Sequence, residues 1–373
     1  MANRWKKHNV GASLLLGLCS SRTDGFLFPP ATLPSTSTQL WGQDIMEQDR
    51  ELYLDKLQKS RSADDFQMEQ WYREQGILGT SRVSLCSSNE SVGGRGLFWV
   101  GKNEAEAGDM IAYIPSKYVI APSNALQVYP DLAASIEMNE SKSKNDIPWQ
   151  SKLTTFIGRC LDEASKDEDR SEDANDLTLR WKEWISSWSG GGPSAARPSN
   201  EYSQEELKYL ADSVGCSLDA VREAIDSRHV CFKRDWELVK DFYKFDEEHF
   251  GYFYSIIVSR VAKLGSDWQD EGGIIPLHDM TNHPPYYCDP NIELFCIGNI
   301  RHMIGDENFT IMFQDLLDDA NDEMKLRDDD ILLVASRNIE PGEELWLKYK
   351  DRGDMEERDK LWLMLQYGFP FHM

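Results

Sequence analysis

The order of apolar and polar positions divides the chain into a β-rich part, a helical part and a second β-rich part. Short apolar runs separated by Gly and Pro fill residues 83–120 and predict a small antiparallel β unit. Residues 131–265 repeat their apolar positions at helical spacing, and a capping-box sequence begins there at Ser203. Strand-like runs return after Gly273. A helical block between two β segments predicts an α+β fold, a split β domain of small antiparallel sheets with a large helical insertion.

The same pattern gives the individual elements. Helices are predicted at residues 152–164, 177–188, 235–264 and 355–367. Strands are predicted at residues 83–85, 96–100, 110–115, 274–277, 292–297, 309–313, 331–335 and 345–349. Charged residues with apolar residues at helical spacing predict N-terminal helices at 44–78. The α+β domain is predicted at 79–371, with its insertion at about residues 121–265.

The N-terminal residues 1–43 have the composition of a targeting leader. Basic residues precede an apolar stretch at 10–19, as in the first two regions of a signal peptide. Residues 25–43 are rich in Pro, Ser and Thr and carry no charge, which resembles the second part of the bipartite plastid-targeting sequences of algae. The leader predicts a plastid protein; the alternative is a disordered tail on a cytoplasmic protein. The apolar stretch is too short to span a bilayer, so no membrane insertion is predicted.

Composition and charge narrow the class of partner. A hydrophobic content of 40% with 11% aromatic residues is typical of a globular protein. The formal net charge of −24 disfavours nucleic acid, because affinity for nucleic acid comes largely from Lys and Arg that neutralise phosphates. A protein partner with a basic segment suits this charge better.

Metal and disulfide chemistry are not predicted. The seven cysteines are scattered and include no C-x-x-C pair, so we interpret them as reduced thiols. His278, Asp279, His283 and His302 lack the helical spacing of a zinc site.

Two common enzyme signatures are excluded by their context. Gly94-Arg95-Gly96 precedes a strand-like run, whereas a dinucleotide-binding loop leads from a strand into a helix. No G-x-S-x-G elbow accompanies the serine and histidine residues, which disfavours a hydrolase.

A set of short motifs carries a resemblance to a known family. In chain order they are Gly94-Arg95-Gly96-Leu97-Phe98-Trp99, Ser259-Arg260, Asp279-Met280-Thr281-Asn282-His283, Gly342-Glu343-Glu344 with Tyr349, and Tyr367-Gly368-Phe369. This order and spacing resemble the SET-domain protein methyltransferases, specifically the subgroup of the Rubisco large-subunit lysine methyltransferase. The resemblance covers residues 83–371. Each residue alone also has an ordinary structural explanation, such as a turn cap, a surface ion pair or a core tyrosine.

The resemblance implies a protein-lysine methyltransferase that uses S-adenosylmethionine. It implies that the cofactor is bound by Gly96, Leu97, Phe98, Arg260, Asp279, Asn282, His283 and Tyr349. A guanidinium such as that of Arg260 suits the cofactor carboxylate. Tyr349 matches the tyrosine whose hydroxyl lies beside the sulfonium and the attacking nitrogen, and Tyr367 matches an aromatic residue of the lysine channel, which favours the ammonium through cation–π contact.

Departures from the family pattern keep two alternatives open. Lys350 replaces the glycine that usually follows the family tyrosine, which fits a non-catalytic SET protein that binds peptide. Ala262 stands where members often carry an aromatic residue of the target pocket, which leaves room for a histidine target.

Overall fold

The computed structural model describes most of the chain in separate ranges. These are residues 47–88, 95–164, 181–182, 184–186, 188, 194–263, 272–284, 288–314, 326–348 and 357–367. Only the backbone is described for residues 47–51, 163–164, 357–359, 363 and 367. The predicted leader lies outside the described residues.

The described helices and strands are as follows. The helices are α1 (Glu47–Lys59), α2 (Ala63–Glu74), α3 (Pro122–Val128), α4 (Pro130–Ser143), α5 (Trp149–Ala164), α6 (Gln204–Val214), α7 (Leu218–Val239), α8 (Glu247–Arg260), α9 (Ile297–Ile304), α10 (Asp306–Met312) and α11 (Glu357–Tyr367). The strands are β1 (Val83–Cys86), β2 (Gly96–Trp99), β3 (Met110–Ile114), β4 (Ala262–Lys263), β5 (Gly272–Gly273), β6 (Ile292–Cys296) and β7 (Ile331–Ala335). Short 3-10 helices occupy Ser116–Tyr118, Ser199–Glu201 and His278–Met280.

The elements form two compact units. The first contains the described residues of Met1–Ser88, Arg95–Ser116 and Met280–Tyr349. The second contains the described residues of Lys117–Asp279 and Lys350–Met373. No described helix is long and apolar enough to cross a membrane.

The first unit is built on two small antiparallel sheets. One pairs β1 with β2, and the other has the order β3-β7-β6, with β7 in the centre. All side chains of β7 are buried, as expected of a central strand made only of apolar residues. Helices α9 and α10 cover this sheet through a cluster that includes Ile300, Phe309 and Phe313 with Leu332. The predicted split β architecture is therefore present in this unit.

The second unit is largely helical. Its helices begin where the sequence provides caps, since Ser203 Oγ accepts from Glu206 N and the Glu206 carboxylate accepts from Ser203 N. Asp246 caps α8 in a similar way, accepting from His249 N at 2.9 Å. Large aromatic side chains are fully buried in this unit: Phe156, Trp181, Trp184, Phe232 and Phe250. The helical interpretation of residues 131–265 is confirmed for the described part.

Two predicted elements are wrong in type or length. Residues 309–313 form part of helix α10 and its end, not a strand, because Phe309 and Phe313 lie on one helical face and their rings pack with centroids 4.9 Å apart. The predicted helix at 235–264 is two helices, α7 and α8, because the chain leaves α7 after Val239 and Asp246 starts a new helix.

Two predicted strands near the motif segments are also corrected. At 274–277 only Ile274 pairs, in a single bridge with Ile120, because Pro276 has no N–H to donate and Leu277 adopts a φ of 70°. In the segment 345–349, the described residues make single bridges to different partners instead of one ladder.

Candidate functional site

Residues 342–347 of the first unit are hydrogen-bonded on both sides. On one side, Leu345 N donates to Leu97 O at 2.7 Å, and Trp99 N donates to Glu343 O at 2.9 Å. On the other side, Leu347 N donates to Asn282 O at 2.9 Å. The segment that begins with the Gly-Glu-Glu motif is therefore joined by backbone hydrogen bonds to β2 and to Asn282 of the Asn-His motif, within one unit.

A buried asparagine fixes the same segment. The Asn291 side chain is fully buried, and its amide oxygen accepts from Trp346 N at 2.6 Å. Its amide nitrogen donates to Glu344 O at 2.8 Å. Because both ends of the amide bind backbone groups that would otherwise be buried without partners, Asn291 stabilises the path of the motif.

Asn282 lies between the start of β2 and the Gly-Glu-Glu motif. Its amide nitrogen donates to Arg95 O at 2.9 Å and to Glu344 Oε1 at 2.8 Å. A carbonyl oxygen and an ionised carboxylate have no proton to donate. The amide nitrogen of Asn282 must therefore face Arg95 O and Glu344, and the amide oxygen must face away. That oxygen makes no hydrogen bond to any described residue, and the Asn282 side chain is half-buried. The arrangement presents an oriented acceptor beside the start of β2.

Glu344 is held in turn by a residue far away in sequence. Its second carboxylate oxygen accepts from Ser88 Oγ at 2.8 Å, across 256 positions of the chain. The Glu344 side chain is buried, with 7% of the residue exposed. The two oxygens thus have separate partners, which limits the freedom of the carboxylate to move.

Gly96 has no room for a side chain. A Cβ at this position would lie 2.1 Å from Glu344 Oε1 and 3.1 Å from Asn282 Nδ2. The Glu344 side chain cannot move away without breaking its hydrogen bonds to Ser88 and Asn282. A glycine is therefore required here by the close approach of this acid–amide pair.

We expect Gly96→Ala to lower the free energy of unfolding by about 3 kcal/mol, since overpacking and broken hydrogen bonds add. Urea denaturation measures this change. Gly215→Ala is the matched control, because Gly215 has a φ of 76° but its Cβ would meet nothing within 4 Å. The control should lose only the strain of a left-handed alanine, about 1 kcal/mol. Equal losses in the two variants would contradict the packing described for Gly96.

The second unit contains a buried acid–arginine pair. Arg260, the last residue of α8, donates from Nη1 to Asp279 O at 3.0 Å, and the same nitrogen lies 3.6 Å from Asp279 Oδ2. Trp184 Nε1 donates to Asp279 Oδ2 at 3.1 Å. The 3-10 helix His278–Met280 places both Asp279 groups within reach of Arg260. Asp279 thereby orients Arg260.

Burial shifts the pKa values of both members of the 278–279 pair. Removal from water raises the pKa of Asp279 from 3.8 to about 6, opposed by the Arg260 charge and the Trp184 hydrogen bond. Removal from water lowers the pKa of His278 from 6.5 to about 4. Near neutral pH the imidazole is therefore neutral and the carboxyl group is mostly ionised.

These shifts predict opposite pH effects on stability. Lowering the pH from 7 to 5 protonates His278 mainly in the unfolded chain, which destabilises the fold by about 2 kcal/mol. The same change protonates Asp279 first in the folded chain, which stabilises the fold by about 1 kcal/mol. Relative to wild type, His278→Gln should lose less stability on acidification, and Asp279→Asn should lose more. Urea denaturation at both pH values checks the two signs; identical pH dependence in all three proteins would refute the assignment.

The structure brings some of the predicted site residues together within each unit. Gly96 and Asn282 lie side by side in the first, and Arg260 and Asp279 in the second. Leu97, Phe98 and His283 are buried in the first unit. Tyr349 lies outside the described residues, and Tyr367 is described only as the last backbone position of α11.

Several residues of these networks were not predicted from sequence. Ser88, Asn291 and Trp184 carry hydrogen bonds that fix the predicted residues, and none of the three lies in a motif of the family resemblance. Glu344 was part of a motif without an assigned role. Among the described residues, no group of three or more His, Cys, Asp or Glu side chains is arranged to hold a metal ion.

Comparison with solved structures identifies the fold. Rubisco LSMT bound to AdoMet aligns with 83% of this chain and 57% of that chain, at a TM-score of 0.50 and 15% sequence identity. The fold is that of a SET domain. The SET domain of LSMT bound to lysine and AdoHcy aligns with 83% of this chain and 58% of that chain, with a TM-score of 0.48 and 15% identity. The sequence matches no protein-family model and none of the curated proteins searched.

This chain thus spans less than two thirds of the LSMT chains to which it is similar. The sequence-based prediction of an α+β SET fold is confirmed. At 15% identity the likeness concerns the fold, and the activity has to be argued from the residues of this chain.

Proposed function

We propose that this SET-domain protein transfers a methyl group from S-adenosylmethionine to a lysine side chain of a protein. The observation that carries the proposal is the oriented Asn282 amide beside Gly96, in a SET fold and at the motif positions expected of the cofactor site. Rubisco LSMT, a solved structure to which this chain is similar, is bound to AdoMet, which supports the same cofactor here.

Each unit contains a residue whose chemistry suits the amino-acid end of this cofactor. Its ammonium group requires acceptors, and the Asn282 amide oxygen is an acceptor whose direction is fixed by Arg95 O and Glu344. Its carboxylate requires a cation, and Arg260 is a guanidinium held in place by Asp279. Asp279, His283 and the backbone of Gly96, Leu97 and Phe98 complete the proposed set of cofactor residues.

Both edges of β2 are hydrogen-bonded to other segments, which restricts the part of its backbone that can contact a ligand. On one edge, Leu97 O accepts from Leu345 N and Trp99 N donates to Glu343 O, and the other edge pairs with β1. Within the proposed strand contact at Gly96, Leu97 and Phe98, we therefore expect the start, at Arg95–Gly96, to lie nearest to the cofactor.

The cofactor supplies a sulfonium-bound methyl group. Once bound, it would offer this methyl group to the neutral amine of the target lysine: an N–C bond would form as the S–C bond breaks, and the electron pair of that bond would stay on sulfur. Tyr349 is proposed to orient the amine and stabilise the developing charge through its hydroxyl dipole. Tyr367 is proposed to line the amine channel, where desolvation favours loss of the ammonium proton before transfer.

Calorimetric titration of the full-length protein with S-adenosylmethionine tests the first step. Binding with one site per chain is expected, and no binding would refute the proposed cofactor. Binding without transfer to any protein of a lysate would favour a non-catalytic, peptide-binding SET protein, the alternative suggested by Lys350.

A histidine target is the second candidate activity. It is favoured by Ala262, a half-buried residue of β4 at a position where the family resemblance implies an aromatic pocket residue. The identity of the methylated amino acid separates the two activities.

We further propose that the target lysine lies in a basic segment of its protein. The net charge of −24 supports this, since opposite charge speeds association and selects partners. Peptides that differ only in flanking Lys or Arg residues test it: the basic peptides should have the lower KM, and the difference should shrink at high salt. Equal KM values would contradict it.

The proposed compartment is the plastid. The support is the leader sequence at 1–43 alone, with its basic, apolar and hydroxyl-rich parts. A fluorescent protein fused behind this leader should enter plastids; uniform cytoplasmic fluorescence would contradict the proposal.

A further inference from the structure

Helix α2 begins with an acid that serves two partners. Ser62 is its N-cap, and Asp65 completes the capping box. Asp65 Oδ2 accepts from Ser62 N at 2.7 Å and from Ser62 Oγ at 2.8 Å. One carboxylate oxygen is thus fully used in starting the helix.

The other oxygen of Asp65 faces an arginine. Asp65 Oδ1 is buried and makes no hydrogen bond to the described residues, but Arg95 Nε lies 2.7 Å from it. The Asp65 side chain is 5% exposed and that of Arg95 is 22% exposed. A buried carboxylate oxygen is costly without a nearby cation, so Arg95 compensates the charge of Asp65.

Arg95 is held at a second point by the candidate site. Its carbonyl oxygen accepts from Asn282 Nδ2 at 2.9 Å, and the next residue, Gly96, starts β2. The residue is therefore fixed through its side chain by α2 and through its backbone by Asn282. The ion pair with Asp65 therefore restrains the residue whose carbonyl group orients the Asn282 amide.

Helix α2 is itself fixed to the sheet. Glu69, one turn after Asp65, is buried and accepts from Ser84 Oγ and from Leu85 N, both at 2.8 Å. Arg61 pairs with the other oxygen of Glu69. These bonds join α2 to β1. The position of Asp65 relative to the sheet is therefore fixed, and with it the position of its ion pair with Arg95.

We propose that Asp65 is a positioning residue for cofactor binding, acting through Arg95 on the start of β2 and on Asn282. The N-terminal helix α2 then helps to position the residues that bind the cofactor. This inference rests on the proposed function, in which S-adenosylmethionine binds at Arg95–Gly96 and Asn282.

Asp65→Asn tests the proposal, with Asp64→Asn as the matched control. The asparagine keeps an oxygen for the Ser62 cap but removes the charge that faces Arg95. Asp64 is exposed in the same helical turn, so its substitution removes the same charge without this contact. We expect Asp65→Asn to raise the Kd and KM for S-adenosylmethionine roughly tenfold, with kcat at saturating cofactor within about twofold of wild type. The control should behave as wild type.

Arg95→Gln provides the second variant, because it breaks the same ion pair and leaves the cap of α2 intact. It should raise the Kd to a similar extent, and adding Asp65→Asn to it should change the Kd by less than about twofold. A further tenfold loss in the double variant would overturn the proposed route through Arg95. Wild-type affinity in Asp65→Asn would overturn the inference but leave the proposed function standing, whereas no binding by wild type would overturn both.

Discussion

Replacing Tyr349 with Phe is expected to lower the rate of methyl transfer by about 10²–10³-fold, while the Kd for S-adenosylmethionine stays within about threefold. The phenol hydroxyl is the group that we assign to orienting the amine and stabilising charge during transfer. Its contribution arises in the transition state, so its loss should appear in kcat and not in the binding of the donor. Initial rates at saturating cofactor, with Kd from calorimetry, measure the two effects.

Tyr209→Phe is the matched control for this prediction. Tyr209 lies on α6 and is 59% exposed, so the same loss of a hydroxyl should leave both quantities unchanged. If Tyr349→Phe retained more than about a third of the wild-type rate, the catalytic assignment of Tyr349 would be wrong.

Asn282→Ala is expected to weaken S-adenosylmethionine binding by roughly 10–100-fold, because the hydrogen bond that we propose to the charged ammonium group would be lost. The substitution also leaves Arg95 O and Glu344 Oε1 without the donor that now binds both. Stability should therefore fall by about 1–3 kcal/mol. Calorimetry well below the unfolding temperature separates the loss of affinity from the loss of stability.

Two comparisons sharpen the prediction for Asn282. Asn338→Ala is the control, since Asn338 is exposed and, among the residues that the structure describes, its side chain accepts from Ala107 N alone. The second comparison uses 5′-methylthioadenosine, which lacks the amino-acid end of the cofactor. Its affinity should fall much less in Asn282→Ala than that of S-adenosylmethionine, and an equal fall for both ligands would contradict the ammonium assignment.

Local sequence patterns predicted the elements whose structure is set locally. β7 is an uninterrupted apolar run, and Ser203 with Glu206 forms the capping box that the sequence predicts. One error arose where composition and spacing predicted different elements. Phe309 and Phe313 fit a strand by composition but a helix by spacing, and packing against the sheet favoured the helix.

The sequence predicted the motif residues of the candidate site but not the residues that hold them in place. Asn282 and Gly96 follow from the resemblance to SET domains, and the structure places them together. The contacts of Ser88 with Glu344 and of Asp65 with Arg95 join distant parts of the chain. Nothing in the local spacing of a single sequence indicates such pairs, because they depend on how the strands and helices pack.

The central claim is tested most directly by the identity of the methylated amino acid. The full-length protein is incubated with S-adenosylmethionine labelled in its methyl group and a lysate of its own organism, and the labelled proteins are hydrolysed to amino acids. We predict label in methyllysine, and its loss when Tyr349→Phe replaces the wild-type protein. Label in methylhistidine, or no transfer by a protein that binds the cofactor, would contradict a lysine methyltransferase.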